Sequence, residues 1–166
     1  MKYSTYLAAL GLTAAFLAPT AMVNAAQEGP YFGASIGSAD DDVFNETDTG
    51  LKLFGGYNFN SNLGVEVAYV DLGEYRGGTF EQDGISVEAV GYLPIADNID
   101  VFGKLGMFSW DVSTPTVSDD GNDLTYGLGL NFQMNSQIGV RAEWQNYEDI
   151  SGGDVSLISA GVSLSF

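Results

Sequence analysis

From residue 29 onward, apolar side chains occupy every second position in one segment of the chain after another. A period of two is typical of β-strands, because successive side chains of a strand point to opposite faces of the sheet. One clear case is the run Leu124, Tyr126, Leu128, Leu130 and Phe132, whose intervening residues are small or polar. Eight such segments follow one another, and none has a convincing helical period. The pattern therefore predicts an all-β fold.

The connections between these segments alternate in length. Three are short and rich in Asn, Pro and Ser, as turns are: residues 60–62, 94–98 and 134–136. Four are predicted to be longer links: residues 38–48, 71–83, 111–122 and 147–154. Short turns on one side and long links on the other describe an antiparallel up-and-down meander, and eight strands can close it into a barrel without exposed edges.

The first 25 residues have the composition of a secretory signal peptide. Lys2 provides a positive start, the stretch 7–16 is almost wholly apolar, and Pro19 would break a helix. Small residues at Val23 and Ala25 predict cleavage after Ala25 or Ala26. The alternative is a membrane anchor, but the apolar run is too short to span about 30 Å of hydrocarbon. We therefore expect a signal peptide at 1–25 and a barrel domain at 26–166.

Period-two alternation does not itself say which face of the barrel meets water. A lipocalin-like soluble barrel turns its apolar face inward, whereas a membrane barrel turns it outward to lipid. The polar set here is rich in Gly and Ser, which suits a narrow interior better than a solvated surface. Its charges also balance, as a nearly dry interior requires: Lys52, Lys104 and Arg141 against Glu66, Glu88 and Glu143.

Aromatic residues of the apolar set provide a third argument. They concentrate near the strand ends, as in the aromatic girdles of membrane barrels. We expect Tyr57, Phe59, Phe132 and Phe166 near the short turns, and Tyr69, Tyr126 and Trp144 near the long links. Together the three arguments favour a transmembrane β-barrel, with a soluble lipocalin-like binder as the residual alternative.

Composition excludes several function classes. The chain has no Cys and no His, which removes thiol chemistry, ordinary zinc sites and His-dependent catalysis. Its formal net charge of −17 makes it a poor binder of nucleic acid. Clustered acids in the links are most simply solvated loop charges. We therefore expect no enzyme, no cofactor and no metal site.

Several motifs resemble, in order and spacing, the transmembrane domain of the outer membrane protein A family. They cover strands two, three and seven, the second short turn and the last strand: residues 54–57, 63–66, 69–73, 91–95, 140–145 and 161–166. The resemblance implies lumenal pairing of Glu66 with Arg141, with Glu143 beside Arg141, and gives weaker matches at Lys104 and Glu88. It also implies that the outer-membrane assembly machinery recognises the last strand through Val162, Leu164 and Phe166.

The resemblance implies that the barrel lies in the outer membrane, among lipid and lipopolysaccharide. Because the sequence stops at the barrel, we do not expect a peptidoglycan-anchoring role. The balanced charges, together with Phe54, Tyr92, Phe102 and Phe108 on the inner face, predict a plugged lumen and a structural or surface-exposed role. Two alternatives stay open: a small porin for ions or small solutes, and an adhesin that binds an unidentified surface receptor through its acidic loops.

Overall fold

The computed structural model describes residues 26–41, 46–75, 80–113, 118–150 and 153–166. These residues form eight antiparallel strands in a closed barrel, in which each strand pairs with its neighbours in sequence and the first pairs with the last. The strands are β1 (Gly29–Asp41), β2 (Glu46–Asn60), β3 (Leu63–Tyr75), β4 (Phe80–Ala96), β5 (Ile99–Ser113), β6 (Ser118–Gln133), β7 (Ile138–Ile150) and β8 (Gly153–Ser165). The predicted all-β, eight-stranded barrel is confirmed.

The predicted signal peptide lies outside the described residues. Within them, no helix is long and apolar enough to cross a membrane. We call the end of the barrel that carries the β2–β3, β4–β5 and β6–β7 turns the turn end. The opposite end, which carries the β1–β2, β3–β4, β5–β6 and β7–β8 connections, is called the loop end.

The strands extend much further toward the loop end than the sequence predicts. β1 pairs with β2 residue by residue as far as Asp41 opposite Glu46, inside the segment predicted as a long link. The predicted turn at 94–98 is also too wide, because Pro94 still pairs with Asp100 before a register shift. The physical reason is that backbone pairing needs no apolar side chain. Where both faces of a strand carry polar residues, the alternation that reveals a strand disappears.

The predicted alternation separates an apolar outer face from a polar inner face. On β6, the side chains of Leu124, Leu128, Leu130 and Phe132 are 39–50% exposed. The charged side chains of the inner face are instead almost completely buried, with Lys52 only 1% exposed. A water-soluble barrel has the opposite arrangement, so the fold is that of a barrel embedded in lipid.

Glycines on the inner face make room for the large interior side chains. A Cβ atom at Gly129 would lie 2.3 Å from Cζ of Phe102, and one at Gly33 would lie 2.5 Å from Cζ of Phe54. Both rings therefore occupy space that only a glycine on the facing strand leaves open. Phe54, Tyr92, Phe102 and Phe108 are all buried in the interior, at most 6% exposed.

The interior near the loop end is apolar, which the sequence did not predict. We call this set the loop-side layer. Its members are buried side chains that pack in one cluster: Ala39, Val70, Leu72, Phe108, Trp110, Tyr147, Val155 and Leu157. The rings of Phe108 and Tyr147 lie 4.6 Å apart between centroids. Leu72 and Tyr147 fall in segments predicted as links, so their inward direction was not recognised.

Candidate functional site

The structure brings the six charged residues of the inner face together in the middle of the barrel. Lys52 lies on β2, Glu66 on β3, Glu88 on β4 and Lys104 on β5, while Arg141 and Glu143 both lie on β7. Each of the six is at most 4% exposed. We call this set the ion-pair cluster. Because it draws on five of the eight strands, it joins opposite walls of the barrel.

Lys104 is the centre of the ion-pair cluster. Its ammonium group donates to Glu66 Oε1, donates to Glu143 Oε1 at 3.1 Å, and lies 3.5 Å from Glu88 Oε2. All four side chains are buried, so the charges are shielded from water and little screened by salt. One ammonium group thus holds three carboxylates that originate on three different strands.

Arg141 forms the bridge across the barrel. Its Nη1 atom donates to Glu66 Oε2 at 2.7 Å and lies 3.9 Å from Glu143 Oε2. The guanidinium carbon is 4.5 Å from the ring centroid of Phe54 and 4.7 Å from that of Phe102, within cation–π range of both. Because β3 and β7 are four strands apart in an eight-stranded barrel, this pair crosses the interior.

Lys52 and Gln145 extend the cluster toward the loop end. Lys52 donates to Glu143 Oε1 at 2.5 Å and to Gln145 Oε1 at 2.7 Å. The amide nitrogen of Gln145 then donates to Glu88 Oε1 and to Thr125 Oγ1. Gln145 was not among the predicted site residues, although it stands two positions after Glu143 in the inward-facing alternation. This spacing is the sequence signal that identifies Gln145 as an inward-facing residue.

Asp100 adds a fourth buried carboxylate, which the sequence prediction of three cations against three carboxylates omitted. Its side chain is 0% exposed, and its Oδ2 atom is 3.5 Å from Asn131 Nδ2. Asp100 shares the inward alternation of Phe102 and Lys104 but lies at the start of β5, next to the turn. Among the buried side chains of the described residues, three cations therefore face four carboxylates.

The outward-facing aromatic residues lie on two levels. Tyr57 and Phe59 are in contact near the turn end, with ring centroids 5.7 Å apart, and Phe166 stacks on Phe32 at 5.3 Å. Phe132, next to the β6–β7 turn, is also exposed near the turn end. Toward the loop end lie the outward-facing Tyr69, Tyr126 and Trp144.

Contacts near the loop end and along β8 complete the outer face. The rings of Tyr126 and Trp144 lie 6.0 Å apart, and the Tyr69 hydroxyl donates to Asp83 Oδ2 at 3.2 Å. On β8, Val162 and Leu164 face outward and are 54% and 37% exposed. Residues 155–164 of this strand pair with β7 on one side and with β1 on the other.

A family model described as the outer membrane protein beta-barrel domain matches residues 7–166. Outer membrane protein A of Klebsiella aerogenes is 30% identical over 140 residues, which cover 74% of this chain and 40% of that protein. Outer membrane protein A of Salmonella typhi is 28% identical over 167 residues, covering 82% and 48%. The chain thus spans less than half the length of these relatives.

Solved structures share the fold at low sequence identity. Neisserial surface protein A superimposes with a TM-score of 0.65 at 16% identity, covering 83% of this chain and 97% of that one. OprG from Pseudomonas aeruginosa gives 0.64 at 13%, covering 87% and 99%. Ail, the attachment invasion locus protein of Yersinia pestis, gives 0.56 at 21%, covering 84% and 100%. The chain belongs to the outer membrane protein beta-barrel domain family, and its place is the cell outer membrane.

Proposed function

We propose that this protein is a structural, surface-exposed barrel whose interior is closed to solutes, and that it is neither a porin nor an enzyme. The observation that carries the proposal is the bridge from Arg141 to Glu66, at 2.7 Å across the barrel. Lys104 ties the same glutamate to two further carboxylates. A solute entering from either end would meet this cross-wall network at mid-height.

Opening a path through the cluster would separate several buried pairs at once. Removing one partner of a buried ion pair leaves an uncompensated charge, at a cost of about 3–5 kcal/mol. Phe54 and Phe102 pack against the Arg141 guanidinium and fill the space beside it. The loop-side layer adds a second barrier, made of apolar side chains. Two chemically different barriers in series support a closed interior.

Planar bilayer recording of the purified protein tests this proposal. We expect no stable large conductance, while a porin incorporated in the same way gives regular steps. The double variant Glu66→Ala/Arg141→Ala removes both members of one pair without changing the net charge, and we expect it to conduct more than the unmodified chain. A stable large conductance of the unmodified chain would contradict the closed interior and favour the small porin.

The proposed partners are outer-membrane lipid and lipopolysaccharide. In this proposal the outward aromatics Tyr57, Phe59 and Phe132 sit at one membrane interface, and Tyr69, Tyr126 and Trp144 sit at the other. Their ring contacts and outward direction support that placement. We also propose that the assembly machinery recognises β8 through the outward-facing Val162, Leu164 and Phe166.

An adhesive role is the alternative to this proposal, and the net charge of the chain restricts the receptors that it could bind. Ail of Yersinia pestis has been solved in complex with the heparin analogue sucrose octasulfate, which is a polyanion. The present chain carries 22 Asp and Glu against five Lys and Arg. A net charge of −17 repels sulfated polysaccharides, so an adhesive role would require a cationic or neutral receptor instead.

An arginine on the outer face tests the placement in lipid. Leu128 is the middle residue of the outward apolar run of β6 and is 47% exposed. We expect Leu128→Arg to lower the free energy of unfolding from lipid vesicles by about 2–4 kcal/mol, because the charge would lie near the bilayer midplane. Leu124→Arg, at the end of the same run, should cost only about 0–1 kcal/mol. Equal effects of the two variants in urea unfolding would argue against this depth.

A further inference from the structure

The first described residues fold into the turn end of the barrel. Ala26 is only 7% exposed and packs in a cluster with Val90, Tyr92 and Phe102. One residue later, the carbonyl oxygen of Gln27 accepts a hydrogen bond from Asn58 Nδ2 at 3.0 Å. The chain therefore enters the interior at Ala26 before β1 begins at Gly29.

A polar recess surrounds this entry point, and several side-chain oxygens that line it have no hydrogen-bond partner. Ala26, Asn58, Asn131 and Gln133 all line the recess. The side-chain oxygens of these two asparagines and of Gln133 are buried without a hydrogen-bond partner, as is Asp100 Oδ1 on the neighbouring strand. Asn58, Asp100 and Asn131 are at most 6% exposed. Buried acceptors left unpaired are costly, so this group of oxygens calls for a donor.

The charge balance calls for a cation at the same end. Three buried cations face four buried carboxylates in the described part of the barrel. Glu66, Glu88 and Glu143 all have a cation within 3.5 Å. Among the described residues, Asp100 Oδ2 instead accepts from the Asn131 amide at 3.5 Å, and Asp100 Oδ1 has no hydrogen-bond partner. Arg141 also lines the recess; its Nη1 atom contacts Glu66 and Glu143, whereas its buried Nε–H group has no hydrogen-bond partner. The described part of the barrel thus holds one more buried carboxylate than buried cations. Asp100 is the carboxylate without a cation contact, and it adjoins the recess through its hydrogen bond with Asn131.

We propose that the α-ammonium group of Ala26, released when residues 1–25 are removed, occupies this recess and neutralises Asp100. The proposal rests on cleavage after Ala25 and goes beyond the proposed function. Hydrolysis by a signal peptidase adds water across the Ala25–Ala26 peptide bond, giving a carboxylate on Ala25 and an ammonium on Ala26. An amide with one neutral donor thus becomes a cation with three donors, so export processing completes the closure of the barrel at its turn end.

Amine labelling of the processed protein from outer membranes tests the proposal. After removal of residues 1–25 the chain has three amines: the α-amine, Lys52 and Lys104. We expect N-terminal sequencing to start at Ala26. In the folded protein the α-amine should react with an acylating reagent about tenfold or more slowly than in denaturant, because reaction requires local opening. Asp100→Asn should abolish most of this protection, whereas Asp97→Asn in the exposed β4–β5 turn should preserve it.

A second measurement separates the terminus from a free cation and does not depend on the variant folding. The unfolded mature chain is acetylated selectively on its α-amine, at a pH of about 6–7 where Lys52 and Lys104 stay protonated and unreactive. It is then refolded and titrated with urea. We expect a lower unfolding midpoint than for the unmodified chain. An unchanged midpoint would show that a buffer cation or water, and not the α-ammonium group, contacts the Asp100 carboxylate. This result would overturn the proposal. Equal labelling rates in the folded and unfolded chain, or a mature terminus other than Ala26, would overturn it as well.

Discussion

Replacing Lys104 by methionine is expected to lower the free energy of unfolding by about 3–5 kcal/mol, the usual cost of leaving a buried charge without its partner. Lys104 contacts Glu66, Glu88 and Glu143, and all of these side chains are buried. In this variant Glu66 is still paired with Arg141, and Glu143 is still paired with Lys52. The carboxylate left without a cation is therefore that of Glu88. Urea unfolding from detergent micelles or lipid vesicles, followed by tryptophan fluorescence, measures the loss.

A double variant identifies the cause of that loss. Lys104→Met/Glu88→Gln removes the stranded charge together with the lysine and should recover a large part of the stability. Leu105→Met on the outer face of the same strand is the matched control, and it should cost less than about 1.5 kcal/mol because hydrophobic volume is conserved. A double variant no more stable than Lys104→Met alone would show that the charge of Glu88 is not what destabilises the barrel.

Strand geometry explains why so much of the fold could be predicted from the sequence. In a β-strand the side-chain period is two, so one apolar run on β6 already separates the residues of that strand into an apolar and a polar face. The same rule places Glu66, Lys104 and Arg141 on the polar face, and the small residues and balanced charges of that face indicate that it is the inner one. Closure then follows from eight strands with short connections on one side.

The contacts inside the barrel could not be predicted in this way. Which inward-facing residues meet depends on the register of each strand pair and on the barrel's diameter. The family resemblance pointed to Glu66 with Arg141, but the central position of Lys104 emerges only when β3, β4, β5 and β7 are arranged around it. Asp100 was missed because it lies beside a turn, where a carboxylate is normally solvated.

The loop-side layer escaped prediction for a related reason. Near the loop end the outward-facing residues become polar, since they lie beyond the apolar band, and the polar positions of the sequence no longer mark the inner face. Tyr147 stands between Asn146 and Glu148 and so looks like part of a polar link, yet it is 0% exposed. An apolar interior with a polar exterior is the arrangement of a soluble protein core. The barrel thus combines a membrane-protein interior at mid-height with a soluble-type core at its loop end.

That combination makes Phe108→Ala the second substitution with a large expected effect. Phe108 is 1% exposed, and its ring lies 4.6 Å from that of Tyr147. A Cβ atom at Gly84 would come within 2.7 Å of Phe108 Cζ, so the ring fills the space up to the neighbouring strand. Truncation to alanine removes buried apolar area and leaves a cavity, and we expect a loss of about 3–5 kcal/mol in the free energy of unfolding.

The adjacent residue provides the control, because the strand turns it to the other side of the wall. Met107 is 52% exposed on the outer face, where lipid fills any space that a truncation leaves. Met107→Ala should therefore cost well under half as much as Phe108→Ala in the same urea titration. Equal losses at the two positions would mean that Phe108 is packed in the loop-side layer no more tightly than Met107 is packed against lipid. The layer could then not act as a second barrier in series with the ion-pair cluster.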